Sequence, residues 1–178
     1  LTMIHSGNGG LCLQDSIEVD ELQFPIHISK RHILTDTEGA GEFRGSPSAY
    51  CEFGPIDGSE LKVIYTSDGS FNAPKGTRGG EEGALANAFK KTKNNKKIKL
   101  PNCHELLLKS GENVISYSAG GGGYGKPSNR IIEKVIKDFK EGIISKYKAE
   151  NTYKVIINEN DEVDVEKTNK ARNLKIKS

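Results

Sequence analysis

The chain has 178 residues, of which 34% are hydrophobic and 28% charged, and this balance excludes pervasive disorder and allows a sizeable core. Its formal net charge of +2 is too small to indicate a nucleic-acid surface, and no apolar run reaches the roughly 20 residues that span a bilayer. Three widely spaced cysteines fit neither a disulfide framework nor a CxxC metal site, so we expect a cytoplasmic protein. The start LTMIHSGNGG has neither an initial methionine nor a secretory signal, and we expect the chain to be a fragment of a larger subunit.

Short apolar stretches separated by turn signals predict a β-rich first part. QFPIHISKRHIL (23–34) alternates apolar and polar residues, which predicts a strand with one buried face. AYCEF (49–53) and ELKVIYTS (60–67) predict two more strands, and the turn GPIDGS between them indicates a hairpin or meander. The next segment, 68–83, is too rich in Gly and Pro for regular structure, so it is either an ordered loop or a bare linker.

Strand signals return after this loop. Residues 84–101 predict two strands around a Lys/Asn-rich tip, and residues 104–120 predict a strand, the turn KSGEN and another strand. The run KKTKNNKKIK (90–99) lacks interleaved aromatic residues, which favours a solvated hairpin tip over an RNA-binding strip.

The apolar period changes from two to that of a helix after residue 130. One helical face carries Ile132, Val135, Ile136, Phe139 and Ile143. Ser128 is the expected N-cap and Gly142 the expected end of this helix, while Ser145 is expected to cap a further short turn. Residues 152–167 predict a strand, a polar turn and a last helix from about Asp164, followed by a frayed tail.

The fold class expected from this pattern is mainly β, antiparallel and sandwich- or barrel-like, with a C-terminal helical extension, and thus α+β overall. We expect a β-rich domain with glycine-rich loops over residues 1–125 and a helical extension docked on it over residues 126–178.

Four consecutive glycines occur in SYSAGGGGYGKPSNR (116–130), between a strand and a helix. Backbone amides at such a junction can face an anion, but the loop lacks the GK[ST] ending of a Walker A motif and the flanking elements of a dinucleotide fold. Glycines also let a loop pass close to another backbone, and on physical grounds we favour this interpretation over phosphate binding.

Two other glycine clusters contain cations. GAGEFRG (39–45) carries Arg44, and PKGTRGGEEG (74–83) carries Lys75 and Arg78. Each cation either presents itself to a carboxylate or phosphate ligand or pairs with a neighbouring acid, and the second alternative is the more common one. The four histidines show no metal-ligand spacing and no GxSxG motif is present, so no metal site and no catalytic residue is predicted within these residues.

Taken in order, these clusters resemble the C-terminal portion of the hydantoinase B/oxoprolinase family. That family includes N-methylhydantoinase B subunits, 5-oxoprolinases and acetone or acetophenone carboxylase subunits. IEVDELQFPIHISKRHILTDTEGAGEFRG is similar to the family's acidic strand, second strand and D-S-G-G-A-G-x-F-R-G-G turn. The likeness continues in four further segments. FNAPKGTRGGEEG is similar to the family's P-x-G-x-x-G-G-x-x-G loop, and LLKSGENVISYSAGGGGYGKP to its T-P-G-G-G-G-Y-G-D-P stretch. KVIKDFKEGIIS is similar to the helix that follows, and VDVEKTNKAR to the family's ending. Ser46 and Lys126 depart from the usual Gly and Asp, and the start HSGNGGLCLQDS also differs from many members.

The resemblance implies a component of an ATP-dependent enzyme whose nucleotide site lies on a partner of the hydantoinase A type. ATP phosphorylates a carbonyl oxygen there, any divalent metal is held by the part of the B component that precedes these residues, and this chain alone binds no cofactor and is inactive. The implied function is hydrolytic opening of a cyclic amide of the hydantoin or 5-oxoproline type. The alternatives are ATP-dependent carboxylation of a small ketone and a non-catalytic module that docks the A-type partner.

The resemblance further implies a hetero-oligomer whose ligand is a small cyclic amide or ketone, with no nucleic acid and no membrane. In such an enzyme the glycine loops are expected to form a wall of a subunit interface or substrate cavity that excludes water. The binding or cavity-wall candidates are Arg44, Gly45, Gly120, Gly121, Gly122, Gly123, Tyr124 and Gly125.

Overall fold

The computed structural model describes residues 3–4, 11–12 and 16–173, and its mainly antiparallel sheets with four helices confirm the expected α+β class. Contacts divide the chain into two compact units. Unit 1 takes its described residues from Leu1–Arg31, Cys51–Thr66 and Ala88–Ser116, and unit 2 from His32–Tyr50, Ser67–Asn87 and Tyr117–Ser178. The domain boundary at residue 125 stays a prediction, because compact units need not be domains that fold on their own.

Hydrogen bonding arranges nine strands into three sheets within the described residues. Strands β1 (Met3–Ile4) and β2 (Leu11–Cys12) form a short pair. A five-stranded sheet has the order β3-β4-β9-β6-β7, and β5 pairs with β8 in a separate two-stranded sheet. The remaining strands are β3 (Ile26–Ile33), β4 (Ala49–Pro55), β5 (Glu60–Thr66), β6 (Asn87–Lys91), β7 (Lys97–Lys99), β8 (Cys103–Lys109) and β9 (Asn113–Tyr117).

Two expectations about strand pairing have different outcomes. β6 and β7 form the predicted hairpin, and the lysine-rich residues between them are exposed as expected for a solvated tip. The predicted hairpin of β4 and β5 is wrong, because β5 pairs with β8 from Glu60↔Lys109 to Thr66↔Cys103 while β4 lies between β3 and β9. A turn signal shows where the chain reverses, but the partner of each strand is decided by distant residues.

The segment before β3 is a helix rather than the acidic strand that the resemblance implied. Helix α1 (Ile17–Gln23) begins at Ser16, whose hydroxyl accepts a hydrogen bond from the Val19 amide. Glu18 and Asp20 in the first turn favour the positive end of the helix dipole, which explains why this acidic stretch is helical. The predicted buried face of β3 is only partly buried, and the adjacent Phe24 is exposed.

Unit 2 has its core around three helices: α2 (Ile132–Lys140), α3 (Lys146–Asn151) and α4 (Val165–Ala171). The predicted apolar stripe of α2 is confirmed, since its members are buried in the core or packed against it together with Tyr153 and Val155. Gly142, with φ of +71°, follows the end of α2 as expected. Ser145 and Asp164 cap α3 and α4 through the backbone amides of the first turn, also as expected.

Two local predictions in unit 2 are wrong. Ser128 does not cap α2, because it lies in a 3₁₀ helix, Pro127–Asn129, and α2 begins only after Ile131. Residues 152–158 form no strand; the segment contributes only an isolated bridge between Ile157 and Val163. The frayed tail predicted at the C-terminus lies outside the described residues. No helix among the described residues is long and apolar enough to cross a membrane.

Candidate functional site

Three glycine-rich loops of unit 2 are joined by backbone hydrogen bonds. We name them loop A (37–47), loop B (74–84) and loop C (119–126). Loop C bonds to both of the others: for example, Gly39 N–H donates to the Gly121 carbonyl over 2.8 Å, and Gly123 N–H donates to the Glu81 carbonyl over 2.9 Å. Loops A and B also bond directly, through Glu81 N–H and the Ala40 carbonyl at 2.7 Å. The segment 68–83 is therefore an ordered loop and not a bare linker.

The close approach of these backbones explains the glycines. A Cβ atom built on Gly122 would overlap the Lys75 carbonyl, and one on Gly123 would overlap the Ala40 carbonyl. On Gly41 it would lie 2.6 Å from the Tyr124 nitrogen. Backbone atoms fixed by hydrogen bonds cannot yield to such contacts, so side chains are excluded at these positions for steric reasons. This confirms that the glycines allow main chains to pack together.

The same hydrogen bonds argue against a phosphate cradle in loop C. Its amides donate to backbone carbonyls of loops A and B, and this applies to Gly120, Gly121, Gly123, Tyr124 and Gly125. An amide that already has a backbone acceptor has no free hydrogen for an anion. The donor set of loop C therefore does not fit a nucleotide phosphate.

Arg44 holds loop A to helix α2. Its Nε donates to Oδ2 of Asp138 over 2.9 Å, and Arg130 donates to the same oxygen through Nη2 at 2.8 Å and Nε at 3.2 Å. The Asp138 side chain is 5% exposed. Burial alone lowers the pKa of Arg44, but the hydrogen bond to Asp138 and the negative charges of Asp138 and Glu38 together outweigh this effect and raise the pKa above its ordinary value. Arg44 thus pairs with an acid, which was the more common of the two predicted alternatives, although that acid is 94 residues away along the chain.

A second buried polar group joins loop A to the C-terminal helices. Oε1 of Glu38 accepts from Nζ of Lys148 at 2.9 Å and from the Tyr153 hydroxyl at 3.1 Å. Burial, and secondarily the charge and hydrogen bond of Glu38, raise the pKa of Tyr153 well above its ordinary value. The phenol is therefore a neutral donor that stabilises a buried carboxylate, which is a structural role.

Beside the packed glycines, unit 2 has an open depression of about 500 Å³, which we name the loop-C depression. It is lined by Glu42, Arg78, Tyr124, Gly125, Lys126 and Asn129. The Arg78 guanidinium lies over the Tyr124 ring, 5.5 Å from its centroid, and Phe43 contacts the same ring edge-on at 6.2 Å. Polar and aromatic groups thus converge on one concave surface, as in small-molecule sites.

The predicted site residues fall into two groups. Tyr124 and Gly125 line the loop-C depression, whereas Gly45 and Gly120–Gly123 pack against neighbouring backbone and Arg44 is paired with Asp138. Their role as a cavity or interface wall stays a prediction. Lys75 of loop B pairs with Glu82 at 2.6 Å, whereas Arg78 of the same loop lines the loop-C depression.

Sequence reasoning missed Glu42 and Asn129 at the depression and Asp138 beneath Arg44. Glu42 lies inside the quoted GAGEFRG cluster, but nothing in its spacing relates it to Asn129. Asp138 is a charged residue close to the apolar stripe of α2. Because a buried carboxylate needs a cationic or hydrogen-bonding partner, its position was the available signal. Among the residues that the structure describes, no cluster of three His, Cys, Asp or Glu side chains could hold a metal ion.

The structure defines an α+β chain whose three glycine-rich loops are hydrogen-bonded to one another, and comparison with known proteins shows the family. The model of the hydantoinase B/oxoprolinase family matches residues 1–127. The chain is 35% identical over 165 residues to an uncharacterized protein of Methanocaldococcus jannaschii. It is 31% identical over 171 residues to the putative B subunit of a D-/L-hydantoinase from Pseudomonas sp. (strain NS671). These matches cover 91% and 89% of this chain.

A solved structure supports the same relationship. The crystal structure of the ATP-dependent caprolactamase from Pseudomonas jessenii matches with a TM-score of 0.74 and 26% identity, covering 93% of this chain and 29% of that one. The chain belongs to the hydantoinase B/oxoprolinase family, as its motifs predicted. It spans 29% and 27% of the length of the two curated relatives.

Proposed function

We propose that this chain acts in the ATP-dependent hydrolytic opening of a cyclic amide, as the C-terminal part of a hydantoinase B-like subunit. The observation that carries the proposal is the match of nearly the whole chain to the fold of an ATP-dependent caprolactamase. The likeness to the putative B subunit of a hydantoinase favours the same reaction class, since hydantoins and caprolactam are both ring amides. The proposed setting is a cytoplasmic hetero-oligomer with a hydantoinase A-type partner.

The chemistry explains why ATP is needed. An unactivated amide is a poor electrophile, and phosphorylation of its carbonyl oxygen by ATP activates the carbon for attack by water. Collapse of the adduct breaks the ring C–N bond and leaves an acyl phosphate, which a second water hydrolyses to the carboxylate and inorganic phosphate. Phosphoryl transfer depends mainly on positioning and charge stabilisation. ATP is proposed to bind to the A-type partner, because the loop-C amides of this chain are already bonded to carbonyls.

The contribution proposed for this chain is a rigid wall that excludes water from an activated intermediate. Loops A, B and C have few side chains and many mutual hydrogen bonds, so they resist deformation and leave little space for solvent. Exclusion of water protects a reactive phosphorylated intermediate until it meets its intended nucleophile.

The test is turnover by the complete polypeptide that carries this chain, reconstituted with its A-type partner. Hydantoin, 5-oxoproline and caprolactam are supplied with ATP, with and without bicarbonate, and the ring-opened product and ADP are measured. Bicarbonate-independent ring opening coupled to ADP formation is expected. Turnover of acetone or acetophenone that requires bicarbonate would identify a carboxylase instead.

The assembly alternative needs its own control. A complex lacking residues 120–178 is compared with the complete one, and the proposal expects ring opening to be lost. Full activity of the truncated complex would contradict a catalytic contribution and leave only docking of the partner.

A further inference from the structure

The loop-C depression contains polar side chains that the fold does not use. Within the described part of the chain, Glu42, Arg78, Lys126 and Asn129 make no side-chain hydrogen bond or ion pair. The Arg78 guanidinium contacts the Tyr124 ring and has no other side-chain partner among the residues that the structure describes. By contrast, the other loop cations, Arg44 and Lys75, are both paired with acids. Arg78, Lys126 and Asn129 are exposed, so water solvates them in the free protein and a ligand can replace that water without breaking a contact of the fold.

Three residues at or next to the depression have positive φ. Arg78 itself has φ of +51°, a conformation that non-glycine residues rarely adopt and that is enriched at functional sites. Gly79 and Gly125 also have positive φ, of +91° and +73°. A Cβ on Gly125 would lie 3.1 Å from Oε2 of Glu42, so a larger residue there would crowd the carboxylate.

The charges indicate the ligand. Arg78 and Lys126 are two cations suited to a carboxylate, and Glu42 and Asn129 offer acceptors for an N–H group. Tyr124 and Phe43 add aromatic surface, 42% and 58% exposed, against which a short methylene chain can pack. This is the complement of a small molecule with a carboxylate at one end and an amino or ureido group at the other.

We propose that the loop-C depression binds the ring-opened product, an amino acid or ureido acid, through its carboxylate. The identity of the ligand rests on the proposed function: hydrolysis of a ring amide adds water across the C–N bond and yields a carboxylate and an N–H group on one short chain. The cations hold the new carboxylate, and Glu42 accepts from the nitrogen end. A neutral cyclic amide lacks the carboxylate and binds this surface more weakly.

The test measures binding without ATP, by isothermal titration calorimetry on the complete polypeptide. The probes are 6-aminohexanoate and N-carbamoylglycine, with 6-aminohexanamide as the neutral match and inorganic phosphate as the test of a general anion site. We expect both carboxylates to bind and the amide to bind at least about tenfold more weakly, since hydrogen bonds between charged groups are stronger than neutral ones. Equal binding of acid and amide would overturn the proposal, as would tighter binding of phosphate.

Variants locate the site. Arg78→Gln and Lys126→Gln are each expected to weaken carboxylate binding by about tenfold. Lys97→Gln, in an exposed strand of unit 1, is the matched control and should leave binding unchanged. Unchanged carboxylate binding in the double variant, with loss of the A-type partner on co-purification, would overturn the proposal and make this surface a protein interface. If the enzyme opens the ring but does not bind the carboxylates, the proposed ligand of this site is refuted and the proposed function stands. If it binds the carboxylates but does not open the ring, the binding site is supported and the proposed function is refuted.

Discussion

The carboxylate shared by Arg44 and Arg130 gives a sharp test of how loop A is held. Asp138→Asn keeps the size of the side chain but removes its charge and one acceptor oxygen. Both guanidinium groups then remain at a site where the Arg130 side chain is 9% exposed and that of Arg44 21%. Removing one partner of a buried ion pair typically costs about 3–5 kcal/mol. We expect the lower end of that range, because Arg44 retains some access to water.

The loss should appear first in the elements that the network joins. Hydrogen exchange of the complete polypeptide, read by mass spectrometry, reports local opening of peptides from 37–47 and 131–142. A cost of about 3 kcal/mol accelerates exchange roughly 100-fold where reclosing is faster than chemical exchange, because the rate then follows the opening equilibrium. Glu141→Gln, at the C-cap of the same helix, is the control: its pair with Lys137 is exposed and 3.8 Å long, so it should change exchange less than about threefold.

One result would refute this reasoning. If Asp138→Asn exchanged as slowly as Glu141→Gln in both peptides, the shared carboxylate would not hold loop A to α2. Faster exchange in unit 1 alone would contradict it too, since Arg44 and Asp138 both belong to unit 2.

The other predictions concern packing, pH and thiol access. Gly122→Ala should destabilise unit 2 by about 1–3 kcal/mol, because the added methyl group meets the fixed carbonyl of Lys75. Gly142→Asn lies in open space at φ +71° and should cost less than about 1 kcal/mol. Equal shifts in hydrogen exchange for the two variants would contradict the packing argument. The raised pKa of Tyr153 keeps its phenol neutral in the folded state. Its contribution to the free energy of unfolding is therefore complete below pH 10 and is lost as pH rises above 10, where the unfolded phenol ionises. Urea midpoints from pH 8 to 11.5 should fall less steeply in Tyr153→Phe, and identical slopes would exclude this residue as the cause. Burial raises the pKa of Cys51, whereas Cys103 is exposed, so iodoacetamide at pH 8 should label Cys103 faster than Cys51. Peptide mapping measures the two rates, and faster labelling of Cys51 would show that its strand opens.

Local signals in the sequence predicted local features well. Ser145, Asp164 and Gly142 mark helix ends because a cap depends on a few adjacent residues. Ser128 misled for the same reason: the preceding proline begins a 3₁₀ turn, which delays the helix by three residues. Ser16, the N-cap of α1, is a residue type that favours helix starts, but the resemblance to a family pattern with a strand at this position led to the wrong prediction.

Pairing between distant residues was not predictable in this way. β5 and β8 are joined by residue pairs such as Glu60↔Lys109, and no turn between them announces the partnership. Arg44 was expected to find an acid, but the choice of Asp138 depends on where α2 packs. Glu42, Arg78 and Asn129 meet only because loops A, B and C and the segment after them converge.

The sequence by itself determined the family, the alternation of strands and turns, the face that α2 buries and the need for small residues in the loops, because each of these depends on residue type and spacing along the chain. Only the tertiary structure decided which backbones those glycines admit, which acid neutralises Arg44 and which cations are left without a partner at the loop-C depression among the residues described. Hydrogen bonds and ion pairs act over a few ångströms in space, whatever the separation in sequence, so their partners emerge only when the chain has folded.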